Sequence, residues 1–253
     1  MATLNRNGVN LHYVDEGSGP AILLTHGFGA SSRMWEGQVE AFRDRYRIIA
    51  WDMRGHGDTD SPEDPSKYSE PATVADIAAI LDACGVDSAV IGGLSLGGYM
   101  SLAFNLAHPE RTDALMLFDT GPGYNNPKGR EGWNQFAIRR AEAFETRGLD
   151  SLGDSAEVKA ARHRSAEGLA KAARGMLTQR DASVIQSLTA IDKPTLVATG
   201  ANDQNFLAAH GYMSENIPGA MNFLIADAGH AANIDNPADF NAAVEAFLAS
   251  LPA

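Results

Sequence analysis

Ala89-Val-Ile-Gly-Gly-Leu-Ser-Leu-Gly-Gly98 is the stretch on which the fold turns. It opens as an apolar strand, breaks at a serine bracketed by glycines, and continues into a helix. Its centre, Gly93-Leu94-Ser95-Leu96-Gly97, matches G-x-S-x-G. A strand that turns sharply into a helix puts the turn residue in a strained backbone conformation. Side chains two residues to either side would collide, so glycines stand there. The serine hydroxyl is then lifted above the sheet, beside unpaired N–H groups at the helix start. Such a turn can also serve packing alone, so the rest of the chain must carry the interpretation.

Upstream, Ala21-Ile-Leu-Leu-Thr25 is a continuous apolar run, as expected of a strand covered on both faces. It ends in His26-Gly-Phe-Gly29. A helix is expected from Trp35 to Arg45, then a strand from Tyr46 to Trp51 that ends in Asp52-Met-Arg-Gly-His-Gly57. At the start of the chain, Thr3–Asn5 and Val9–Val14 flank Asn7-Gly8, a hairpin signal. Pro71 begins a helix with an apolar face of Val74, Ile77, Ala78 and Leu81, stopped by Gly85. Downstream, the elbow helix runs from Gly97 to His108, closed by Pro109. Ala114–Phe118, Lys193–Thr199 and Met221–Ala226 are further strands. Helices follow from Phe206 to Asn216 and after Asn236, which caps Pro237 and the residues beyond it. This alternation predicts an α/β fold: a mostly parallel eight-stranded sheet with helices on both faces.

The alternation breaks between residues 121 and 190. Helical patterns dominate there: Trp133, Phe136, Ala137, Ala141 and Phe144 fall on one face, and Glu157 to Met176 is alanine-rich. Charge changes as well, with 11 Lys/Arg against 8 Asp/Glu in this segment and 9 against 24 elsewhere. The expected organisation is a core of residues 1–120 and 191–253 with a helical cap, 121–190, inserted in it.

An overall charge of −12 argues against a nucleic-acid partner, whose phosphates it would repel. One cysteine, Cys84, rules out an internal disulfide and reads as a small core residue. No Cys/His grouping has zinc spacing, so no metal site is expected. No long apolar run suggests a leader or membrane span, and a cytoplasmic protein is the default expectation.

In a parallel sheet of this kind, function gathers beyond the carboxyl ends of the strands. His26–Gly29, Ser95, Asp203 and His230 all fall there. Serine needs a base within hydrogen-bond reach to act as a nucleophile. His230 can supply it, since imidazole titrates near neutrality. A carboxylate on the other ring nitrogen fixes the tautomer, and Asp203 stands just past a strand end. Asp119 also ends a strand and competes for that role.

With these motifs in place, the chain resembles the α/β-hydrolase fold superfamily over essentially its full length. The matching motifs are His26–Gly29, Asp52–Gly57, Gly93–Gly97, Gly200-Ala-Asn-Asp203 and Gly229-His230. Its flavour is similar to that of small bacterial carboxylesterases and 3-oxoadipate enol-lactonase-like serine hydrolases. The resemblance implies Ser95, Asp203 and His230 as catalytic residues in that chain order. It also implies backbone N–H groups of Phe28 and Leu96 as the oxyanion hole. The family often has serine where this chain has Thr59, which keeps a hydroxyl. His26, Arg54 and His56 are expected to brace loops.

Relatives that open epoxides or haloalkanes place aspartate at the elbow; serine points instead to an acyl-enzyme from esters or lactones. The implied activity is a carboxylic ester hydrolase, esterase or lactonase, that needs no cofactor. Walls of a pocket between elbow and cap are sought in Phe28, Leu94, Trp35, Tyr124, Trp133, Phe136 and Phe206. The basic cap offers a means of steering an anionic substrate. Two alternatives use the same triad: a cofactor-free perhydrolase or haloperoxidase, or a C–C bond hydrolase. A slow-turnover ligand receptor is a third. The expected partner is a small-molecule ester or lactone, with neither nucleic acid nor membrane, for a monomer or homodimer.

Overall fold

The computed structural model describes residues 2–252. In chain order the elements are β1 (Ala2–Arg6), β2 (Val9–Gly17), β3 (Ala21–Thr25), α1 (Glu36–Phe42), β4 (Arg47–Trp51) and α2 (Glu70–Ala83). Then come β5 (Ala89–Leu94), α3 (Leu96–Ala107), β6 (Thr112–Phe118), α4 (Pro127–Arg147), α5 (Ala156–Ala160), α6 (Ala166–Ala172) and α7 (Ser183–Ser187). The chain closes with β7 (Thr195–Gly200), α8 (Leu207–Asn216), β8 (Met221–Ile225), α9 (Ala232–Asp235) and α10 (Pro237–Ala249). The eight strands form one sheet in the order β1-β2-β4-β3-β5-β6-β7-β8. Pairing is antiparallel at β1/β2 and β2/β4 and parallel everywhere else.

Local chemistry sets the boundaries. Asn7 and Gly8 both have positive φ, 51° and 81°, as a two-residue hairpin turn of this type requires. Ser69 caps α2 by accepting from the Ala72 N–H, and Asn236 caps α10 by accepting from the Asp239 N–H. The helix expected from Trp35 instead opens as a 3₁₀ turn, Ser32–Trp35, before α1 begins at Glu36.

Two apolar layers cover the sheet. One holds the inward faces of α2, α3 and α8, with Ile77, Leu81, Met100, Phe104 and Met213 fully enclosed. The other holds α1 and α10, with Trp35, Phe42, Phe240 and Phe247. Burial of this many large side chains stabilises the fold by about 1.5–3 kcal/mol per residue before chain entropy is charged against it. Among the described residues, no helix is long and apolar enough to cross a membrane.

Between β6 and β7 the described elements are helical. On α4, Ala137, Ala141 and Phe144 face inward, whereas Phe136 is 43% exposed and lies off that face. The alanine-rich run from Glu157 to Met176 is helical only in pieces: it is broken between α5 and α6, and α6 passes into a π-helical turn, Ala173–Leu177. Residues 183–190 run back along the sheet, where Val184 and Leu188 join the layer under α3. One margin of this segment is pinned to the Asp52–Gly57 loop. A Cβ on Gly55 would fall 2.5 Å from the Gly168 carbonyl oxygen, so the two backbones touch. Arg164 pairs with Asp58, and His163 bridges Gly29 and Gly57.

Candidate active site

Ser95 has φ 56° and ψ −117°, a conformation non-glycine residues rarely adopt. Three bonds hold it. Its N–H donates to the Phe118 carbonyl at 2.9 Å, and its carbonyl accepts from the Tyr99 N–H at 3.1 Å and the Thr120 hydroxyl at 2.5 Å. A Cβ on Gly93 would run into Gly97, and one on Gly97 into the Thr25 carbonyl. These contacts explain the glycine spacing physically. A Cβ on Gly27 would lie 3.3 Å from the Ser95 Cβ, so the His26–Gly29 loop passes directly beside the serine. The Phe28 N–H donates to no protein group among the described residues. Leu96 opens α3, where the first N–H groups have no acceptor inside the helix.

His230 follows β8, and its Nδ1 is 2.7 Å from Asp203 Oδ2. Two loops must meet for this bond to form. The Asn202 N–H donates to the Ala228 carbonyl, and Gly200 lies so close to Ala228 and Gly229 that no side chain fits. Asp203 is nearly enclosed, while a third of the His230 side chain is open. The Phe206 ring stacks on the imidazole at 5.0 Å. Burial opposes charge on His230, but the hydrogen bond and charge of Asp203, with Asp119 and Glu157 further off, outweigh it and raise its pKa. Asp119, at the end of β6, makes no bond to His230; its Oδ1 accepts from the Gly200 N–H at 2.8 Å. Burial, offset in part by that bond, pushes its pKa up to about 8. No hydrogen bond closes between Ser95 Oγ and His230, a contact that often tightens only when substrate arrives.

The profile of the family described as alpha/beta hydrolase fold matches residues 20–166, more than half of the chain. The chain belongs to that family. A putative 2-succinyl-6-hydroxy-2,4-cyclohexadiene-1-carboxylate synthase of Bacillus subtilis is 28% identical, across 99% of this chain and all of the relative. Among solved structures, the enol-lactonase of Burkholderia xenovorans superposes with a TM-score of 0.85 at 26% identity, covering 98% of this chain and all of that one. A thermophilic esterase of Thermogutta terrifontis, solved with malate, gives 0.84 at 27% identity, covering 99% and 97%.

In this α/β hydrolase, the expected wall residues divide into four sets. Phe206 lies on His230. The Phe28 ring packs edge-on to His56 and Phe144, with the Arg140 guanidinium 6.0 Å from its centre, so it ties the loop to α4. Trp35 and Leu94 require correction. Both are fully enclosed in the α1/α10 layer, Trp35 between Phe118 and Phe240, and neither presents a surface to a ligand. Tyr124, Trp133 and Phe136 form an aromatic row, with Trp133 Nε1 donating to the Leu177 carbonyl. None of the three rings contacts an aromatic ring of the Ser95–His230 neighbourhood. Two cavities of about 450 and 440 Å³ open elsewhere, one by Glu167 and Arg174, the other by His12 and Arg43.

The supporting loops match their expected roles. Arg54 clasps Asp76 with two bonds of 2.6 and 2.7 Å inside the protein. His26 Nδ1 lies 2.7 Å from the Gly27 carbonyl, and its Nε2 accepts from the Met53 N–H. Thr59 donates to the Asp52 carbonyl and accepts from the His12 N–H. Sequence reasoning missed His163. Its Nε2 lies 2.8 Å from the Gly29 carbonyl and its Nδ1 accepts from the Gly57 N–H at 3.2 Å. Nothing in an alanine-rich helical pattern marks that residue.

Proposed function

We infer that the chain is a carboxylic ester hydrolase acting on small esters or lactones through an acyl-enzyme. The observation that carries this is the 2.7 Å Asp203–His230 bond beside a serine in a strained strand–helix turn. Ser95 Oγ attacks the carbonyl carbon while His230 Nε2 takes its proton. Negative charge gathers on the carbonyl oxygen, which the Phe28 and Leu96 N–H groups receive. Each such donor lowers the barrier by about 3–4 kcal/mol. The imidazolium, stabilised by Asp203, gives its proton to the leaving alkoxide. Water, deprotonated by His230, then cleaves the ester on Ser95 and releases the acid.

The likeness to an enol-lactonase and an esterase supports ester and lactone carbonyls as the substrate class. Serine rather than aspartate at the elbow disfavours epoxide opening. Residues 121–190 act as a cap over this chemistry, a role supported by the packing of Leu152 and Val158 on Gly29.

A panel of 4-nitrophenyl esters of increasing chain length, with simple lactones, tests the proposal. Short esters or lactones are hydrolysed, and Ser95→Ala loses about 10⁴-fold or more in kcat. Equal rates for the two proteins refute the assignment.

A further inference from the structure

Asp119 is left over once the triad is drawn. It is wholly enclosed, and its backbone has φ 43°, in the left-handed region. One carboxylate oxygen accepts from the Gly200 N–H; the other, Oδ2, is buried with no partner. Asp119, Asp203 and His230 each bring a polar atom within 4.8 Å of the other two. No Lys or Arg pairs with either aspartate among the described residues; the only cation that can form beside them is the imidazolium. Burial penalises the Asp119 charge and the neighbouring Asp203 carboxylate adds to that penalty, so one carboxyl of the two keeps its proton. The bond to Nδ1 holds the charge on Asp203. The proton therefore stays on Asp119, whose Oδ2 has no hydrogen-bond partner, in line with the raised pKa.

We propose that Asp119 and Asp203 form a carboxyl pair holding one proton between them, with Asp119 as a positioning residue that takes over the imidazole when Asp203 is neutralised. This rests on the hydrolase assignment above. In the native enzyme Asp119 is neutral and leaves the charge to its neighbour. Without the Asp203 charge the repulsion is gone but burial remains, so Asp119 yields its proton to solvent only as pH rises, and then becomes the anion that orients His230. The charged groups around His230 are then Asp119 after β6, Glu157 from α5 and, on α9, Asp235, whose carboxylate is engaged by the Gly229 N–H.

The test compares Asp119→Asn, Asp203→Asn and the double variant on 4-nitrophenyl acetate from pH 5 to 9, with Ser95→Ala alongside. The His230 Nδ1–H proton resonance is followed in each. Asparagine suits a left-handed backbone and keeps an acceptor for Gly200. Should it not fold, Asp119→Ser, which cannot ionise, replaces it. Asp119→Asn is expected within about 3-fold of wild type at pH 7. Asp203→Asn loses about 10–10²-fold, less than a lost tautomer costs, and recovers as pH rises. The double variant falls about 10-fold or more further and loses that recovery. A double variant equal to Asp203→Asn at every pH overturns the proposal. If Ser95→Ala stays active, the hydrolase assignment fails and the resonance decides the pair by itself. A downfield Nδ1–H that survives Asp203→Asn and disappears in the double variant supports it; disappearance in Asp203→Asn alone refutes it.

Discussion

A backbone φ of 56° at Ser95 is kept by what surrounds it: three hydrogen bonds, and glycines where any side chain would strike the Thr25 carbonyl or the turn itself. That demand is local, so it is written into the spacing of Gly93, Ser95 and Gly97. Asp203 and His230 were legible for a similar reason, each standing one short turn past an apolar strand. Trp35 was not. A tryptophan reads the same in sequence whether it lines a pocket or fills a core, and only the sheet face it meets decides. Here it meets Phe118 and Phe240, so Trp35→Ala is expected to cost about 3–5 kcal/mol of stability. The urea midpoint should fall, while KM across an ester series stays unchanged in the folded fraction. A shift in KM with chain length would return Trp35 to the site.

At the scale of elements, strands and flanking helices followed their periodicity closely, because burial on one face or both dictates it. The helical segment did not. Alanine between 156 and 173 has every local reason to stay helical, yet the chain leaves the helix so that His163 can reach two loops at once. Its bonding fixes one neutral tautomer, with the proton on Nε2 for Gly29 and a free Nδ1 for the Gly57 N–H. Burial accordingly lowers its pKa. His163→Ala is expected to lower kcat on short esters by about 10-fold with little change in KM, since the loop carrying Phe28 loses a support. His163→Gln, which can still donate to Gly29, recovers part of the loss. Identical defects in the two variants would separate His163 from the oxyanion loop.

Over the whole molecule, buried neutral imidazoles and one deeply held carboxylate set the acid limit. Burial brings His26 down to about 4, holds His56 well below its usual range, and lowers His163. Each takes up a proton near pH 6.5 when unfolded but resists it when folded. Stability is thus intact above pH 6.5 and falls as pH drops toward 4, by up to about 1.4 kcal/mol per pH unit for each group. Asp52 is buried, but bonds to His12, Ser32 and Asp58 hold its pKa far below the usual carboxylate range, which adds a further loss below pH 3.8. The melting temperature should therefore drop steeply between pH 6.5 and 4, more steeply than in His26→Asn or His56→Asn. A flat profile there would mean these rings are solvated. No composition count reveals this, because it depends on which histidines the loops enclose.

The seam where Gly55 meets Gly168 leaves no slack: a side chain added to Gly55 must push two backbones apart. Such a wedge would loosen His163 and Arg164 together, since both reach the neighbouring loops from the stretch just before Gly168. A single added methyl group at that seam is thus a lever on the loop that carries Phe28, although it touches neither Ser95 nor His230.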